Sequence, residues 1–138
     1  ELASRVRAVG GMLPSLLPGT PVLTHGDASP DQVLYEYSTG RIWLTDFDRV
    51  RLAPAATDLG SYLAEAPSSQ RRALLEGYAV HRLVPSDEEL GWAIALSRLA
   101  RLADPLRRAH PSWRERISAD LAAIERIARS PEKEASWA

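Results

Sequence analysis

His25-Gly26-Asp27-Ala28-Ser29-Pro30-Asp31-Gln32 is followed, fourteen residues beyond Gln32, by Asp46-Phe47-Asp48. The stretch between them has the makings of a hairpin. Val33 to Tyr37 is rich in β-branched and aromatic residues, Ser38-Thr39-Gly40 is a turn, and Arg41 to Thr45 resumes as a strand. Upstream, Val22-Leu23-Thr24 is a short apolar strand leading into the His-Gly-Asp turn. An acid, an amide and a second acid are thereby predicted to come off one small antiparallel sheet, close in space.

The flanks read as helix. Leu2, Val6, Val9 and Leu13 recur at helical spacing and predict a helix from Leu2 to Leu17, weakened by Gly10-Gly11 and ended by Pro14 and Pro18-Gly19. After Pro54 the pattern is helical throughout. A short helix is expected over Asp58 to Glu65, and a second from Ser68 or Ser69 to His81 or Leu83. Ser86-Asp87-Glu88-Glu89 has the form of a capping box and opens a long helix to about Arg108. Ser112-Trp113-Arg114-Glu115 repeats it and opens a last helix to about Ser130. Residues 131–138, polar apart from Trp137, are expected to fray. The expected fold class is α+β: a small antiparallel hairpin on a mainly helical lobe spanning residues 1–130. The runs Ala93 to Leu102 and Leu121 to Ile127 should be core, and Trp43, Trp92 and Trp113 should pack. Arg98, Arg101 and Arg108 fall near one face of the long helix, with Arg107 adjacent. Such a stripe is normally solvated or ion-paired, and one lining a cleft would disfavour a polycationic ligand.

Composition narrows the function. The 138 residues are one domain's worth of chain, and 45% apolar content suffices for a core. A net charge of -1 gives no electrostatic case for nucleic acid or an anionic membrane as partner. The chain has no cysteine, which excludes disulfides, thiolate metal sites and thiol nucleophiles. His25, His81 and His110 are too scattered to read as a metal cluster. No apolar run is long enough for a membrane span and no signal peptide is evident, so a cytoplasmic location is expected. The first residue is Glu1, and the His-Gly-Asp motif follows only 25 residues into the chain. A fragment of a longer protein is the expectation.

The chemistry rests on spacing. An acid five residues before an amide, then a hairpin, then another acid is the layout of a kinase catalytic loop and metal site. Asp27 would orient an acceptor hydroxyl and accept its proton; the bland alternative is an Asp capping a turn. Gln32 stands where kinases usually carry Asn. Its amide oxygen is a neutral, hard ligand for magnesium on a stem one methylene longer, and otherwise it is a surface Gln. Asp46 ends a strand and would bridge magnesium to phosphate oxygens, or merely cap the strand. Asp48 is a second candidate ligand, or a hydrogen-bond partner of the loop. His25 would pack under the loop and support its backbone. Asp58 either favours a helix N-terminus through the dipole or ties down the loop.

These residues resemble the C-terminal lobe of the aminoglycoside phosphotransferase and choline-kinase-like family, which is protein-kinase-like. That family's loop reads His-Gly-Asp, two residues, Pro, any residue, Asn, and here runs from His25 to Gln32. Thr45-Asp46-Phe47-Asp48 matches its metal turn. Pro54-Ala55-Ala56-Thr57-Asp58-Leu59-Gly60 matches its next landmark with one extra residue, and Gly77-Tyr78 is similar to a later one. Gln32 for Asn and Leu52-Ala53-Pro54 for Gly-Asp-Pro depart from the pattern, as do the small Ala28 and Ser29.

The resemblance implies transfer of the γ-phosphate of ATP or GTP to a small-molecule hydroxyl (an antibiotic, a sugar or an amino alcohol), with Mg2+ held by Gln32 and Asp46. It also implies an N-terminal lobe carrying a phosphate-binding lysine and an adenine-binding hinge. Lys133 is the only lysine and sits in the tail. By this reading the chain alone is inactive and needs that lobe in cis or in trans. The competing reading is a non-catalytic kinase-like module that binds a metabolite or a protein.

Overall fold

A computed structural model describes residues 1–135, so the expectation for the tail at 136–138, Trp137 included, lies outside the described residues. Three amphipathic stripes build the core. Helix α1 (Leu2–Gly10) contributes Val9 beside them. Helix α2 (Ala56–Glu65) contributes Leu59 and Leu63, α4 (Asp87–Ala100) contributes Leu90 and Ile94, and α6 (Trp113–Arg129) contributes Ile117, Leu121, Ile124 and Ile127. All are buried at spacings that keep one helix face inward. Helix α3 (Ser68–Ala79) lies outside this set and buries no residue fully.

The α2–α4 contact is unusually close. A Cβ built on Gly60 would lie 2.3 Å from the Cβ of Ala93, so the two backbones meet where only small residues fit. Helix α4 opens with the expected capping box. Glu89 donates its backbone N–H to Ser86 Oγ (3.2 Å), and Ser86 donates its own to Glu89 Oε2 (2.7 Å). Ser86→Ala should therefore cost about 1 kcal/mol in urea unfolding with an unchanged slope. A stability equal to the parent's would show that the box contributes nothing here.

Several of these elements differ from the sequence reading. Helix α1 stops at Gly10, not Leu17, because consecutive glycines lose too much backbone freedom to continue it. The long helix expected to reach Arg108 ends at Ala100. Pro105 has no N–H to give, and its ring would collide with the carbonyl four residues back, that of Arg101. Asp104 N–H takes the Arg101 carbonyl instead (2.9 Å), and a one-turn helix α5 (Asp104–Arg107) follows. Arg98, Arg101 and Arg108 therefore share no helix face. At Ser112 no second capping box forms, and its N–H goes to His110 Nδ1 (3.1 Å). Residues 131–135, expected to fray, form helix α7 (Pro131–Ala135). Pro131 is buried on α4, so close that a Cβ on Gly91 would lie 2.1 Å from its carbonyl oxygen. Glu134 pairs with Arg126 at 3.5 Å and opposes the lowering of the Arg71 pKa, which burial and then Arg98 produce.

The strands form two ribbons, not one sheet. Strand β1 (Pro21–Thr24) pairs antiparallel with β4 (Arg51–Pro54), in register Leu23 to Leu52 and Thr24 to Arg51. Strand β2 (Val33–Glu36) pairs with β3 (Arg41–Leu44), in register Val33 to Leu44. The β2–β3 hairpin is the expected one; β4 was not expected. The ribbons' apolar side chains stay open, with Leu23 at 74%, Leu52 at 73% and Trp43 at 53% exposure. Trp43 thus does not pack as anticipated, whereas Trp113 lies against the core. Among the described residues no helix is long and apolar enough to cross a membrane.

Candidate active site

Strand β1 delivers the loop. Thr24, buried at its end, donates to the carbonyl of Arg51 across the ribbon (2.8 Å). The chain then turns at Gly26, whose φ of 85° is one that side-chain-bearing residues rarely adopt. A Cβ there would sit 2.0 Å from the Arg49 carbonyl oxygen. The loop thus packs directly on the backbone that follows Asp46. Asp58, in the first turn of α2, accepts the N–H groups of His25 (2.6 Å) and Gly26 (2.9 Å), one on each oxygen. Charge-assisted bonds of this kind are the stronger sort. Asp58 thus sits in the first turn of a helix and also bonds the backbone of the loop.

His25 does the same from the other side. Its Nε2 lies 2.7 Å from the Thr45 carbonyl, which can only accept, so Nε2 carries the proton. Nδ1 is buried without a partner among the described residues. The ring packs on Phe47 at 4.8 Å between centroids. His25 is thereby fastened to the residues on either side of Asp46.

Asp46 stands at φ 65°, in the left-handed region, and is the N-terminal neighbour of the 3-10 turn Phe47–Arg49. Asp tolerates that conformation better than most residues, yet it carries strain that surrounding contacts must hold. Gln32, at the end of the 3-10 turn Pro30–Gln32, meets it. Gln32 Nε2 donates to Asp46 Oδ2 at 3.3 Å, while Oε1 accepts from Thr45 Oγ1 at 3.2 Å. Turning the Gln32 amide over gives up the bond to Asp46 but keeps one to Thr45, whose hydroxyl accepts as well as donates. The amide oxygen then faces outward beside the exposed Asp46 carboxylate. No three His, Asp or Glu side chains among the described residues form a self-sufficient cation site. An amide oxygen and a carboxylate suit magnesium that takes its other ligands from phosphate and water. Asp48 is exposed on the following turn.

Asp27 is not free. Its Oδ1 lies 2.5 Å from Nη2 of Arg101, and its Oδ2 lies 3.3 Å from Nη1 of Arg49. In the sequence Arg101 belongs to a generic stripe, and nothing there marks Arg49. The one local signal for Arg101 was Pro105, whose consequence is that Arg101 falls at the end of a helix. An open cavity of about 510 Å³ adjoins the loop: its lining includes His25, Ala28, Gln32 and Asp58 with the apolar Leu59 and Tyr62, but neither Asp27 nor Asp46.

The structure therefore gathers Asp27, Gln32 and Asp46 around one loop, braced by His25 and Asp58. A family model described as the phosphotransferase enzyme family (APH) matches residues 1–96. The chain belongs to that family. No curated protein and no solved structure shows a significant match. The APH match takes in every candidate residue read from the sequence and ends before Arg101, α5 and α6. In this APH family member the Asp27–Arg101 pair thus joins the matched region to the part beyond it.

Proposed function

We propose that the chain is the catalytic-loop lobe of a phosphotransferase that moves the γ-phosphoryl group of ATP or GTP to a hydroxyl of a small molecule. The observation that carries this reading is one loop held at three places. Asp58 binds its backbone, His25 ties it to Thr45, and Gln32 reaches Asp46. Catalysis of this reaction is mostly positioning and charge stabilisation, and such bracing serves it.

Asp27 accepts the proton of the acceptor hydroxyl. The acceptor oxygen bonds to the γ-phosphorus, the bond to the β-bridging oxygen breaks, and its electron pair leaves with the nucleoside diphosphate. Gln32 and Asp46 hold Mg2+, with Asp48 as a further candidate ligand. The metal supplies charge neutralisation on the phosphates. The reading includes a cytoplasmic setting and an N-terminal lobe, in cis or in trans, that completes the nucleotide site. Two features support the lobe: the exposed apolar faces of the ribbons, and Lys133, the only lysine, lying in α7. The chain alone is then inactive. An antibiotic, a sugar or an amino alcohol each remains an acceptor class to test.

The test uses the protein as its native source makes it, with its intact mass measured first. Incubated with ATP or GTP and a panel of such alcohols, it should release nucleoside diphosphate in step with acceptor phosphorylation. Chelation of Mg2+ should stop both, and added Mg2+ should restore them. Binding of an acceptor with no transfer at any metal concentration would point to the non-catalytic module, which Gln32 in place of Asn also favours.

A further inference from the structure

Resting on the reading of Asp27 as the base, we propose that Arg101 is a positioning residue: it holds Asp27 by Oδ1 and leaves Oδ2 as the atom that takes the acceptor's proton. Arg101 is the better anchored of the two arginines. Its Nη2 reaches Asp27 Oδ1 (2.5 Å) and Ser61 Oγ (3.1 Å). Its Nη1 reaches Glu65 Oε1 (2.9 Å), Ser97 Oγ (3.0 Å) and the Ser61 carbonyl (3.4 Å). A planar guanidinium satisfied on both arms has one orientation, and the carboxylate it grips is held with it. The side chain is 21% exposed, against 65% for Arg49. Arg49 holds Oδ2 from solvent at 3.3 Å and can swing away when an acceptor arrives; Arg101 cannot.

Backbone features set this up. Pro105 ends α4 at Ala100, so Arg101 projects from a helix terminus. The Gly60–Ala93 contact draws α2 against α4 and presents Ser61 and Glu65 to the guanidinium. Glu65 balances the charge that Asp27 alone would leave half-matched when it takes up the proton. Arg101 neither gives nor takes a proton. The acceptor proton goes to Asp27 Oδ2 as the oxygen–phosphorus bond forms and the nucleoside diphosphate departs.

The test compares Arg101→Met and Arg101→Lys, each alone and combined with Asp27→Asn, in the protein as its native source makes it. Arg101→Met should lower kcat by about 30- to 100-fold with KM for nucleotide and acceptor within about threefold, because only the aim of the base is lost. Lys should restore part of the loss, since a single ammonium can meet Asp27 but cannot also span Glu65 and Ser61. In the Asp27→Asn background Arg101→Met should lower kcat no further, the sign of two residues acting as one unit. Equal losses in both backgrounds would overturn the proposal and leave Arg101 a structural residue, and so would full kcat in Arg101→Met. Full activity in Asp27→Asn alone would instead overturn the reading of the base, a different and separable result. If Arg101→Met does not fold, Arg101→Lys in the two backgrounds gives the same comparison.

Discussion

Asp27→Asn is expected to lower kcat by about 10³-fold while KM for the nucleotide stays within about twofold. The substitution is nearly isosteric, so the loop keeps its shape. What goes is the negative charge and the ability to accept a proton. Asn can still accept from Arg101 at Oδ1, and the other anchors of Arg101 on Glu65, Ser61 and Ser97 are untouched. The brace on the loop itself comes from Asp58 and His25 and does not involve the Asp27 side chain. Loss of activity therefore should come without loss of fold. Steady-state kinetics and thermal melting on the same sample check both halves. A variant that transfers phosphate at the parental rate would remove Asp27 from the mechanism. One that is inactive but also unfolded would instead show that the carboxylate is needed to neutralise Arg49 and Arg101.

What the sequence discloses and what it hides divide by range. The β2–β3 hairpin is local: its strands, its Ser38-Thr39-Gly40 turn and the acids at its base lie within one short stretch, and all are in place. The stripes of α2, α4 and α6 are periodic and emerge as core. Strand β4 is neither. Arg51-Leu52-Ala53-Pro54 ends in proline, shows no alternation and pairs with residues some thirty positions earlier. Helix α7 is hidden for a similar reason, since its main attachment is one proline seated on Gly91 of another helix. The Arg101–Asp27 pair spans 74 positions. Nothing in a helical stripe of arginines marks the one that a helix break turns toward a carboxylate. Local spacing shows which groups bear the chemistry, and the long-range contacts that aim them become visible only with the fold.

Gly26→Ala carries the largest expected effect on the loop itself. At φ 85° an alanine pays a strain of about 1 to 3 kcal/mol before any contact is considered. Its methyl would also start 2.0 Å from the Arg49 carbonyl oxygen and 2.9 Å from the carbonyl carbon. Those are backbone atoms, so no rotamer change relieves the clash; the loop or the 47–49 turn has to move. If the loop moves, the bonds from His25 and Gly26 to Asp58 stretch together. If the turn moves, Arg49 and Phe47 leave Asp27 and His25. Either displacement separates Asp27 from Asp46, whose joint placement the reaction requires. We expect a loss of about 3 to 4 kcal/mol, seen as a fall of roughly 10 °C in Tm, from the combined strain and overpacking. Below that temperature activity should already be down by at least about 10²-fold, because misplacement on the scale of an ångström is enough. A Gly26→Ala protein that melts with the parent would show that loop and turn do not pack backbone to backbone. One that melts early yet transfers phosphate normally would mean the clash is absorbed away from Asp27 and Asp46. The bracing by Asp58 and His25 would then serve stability and not the reaction.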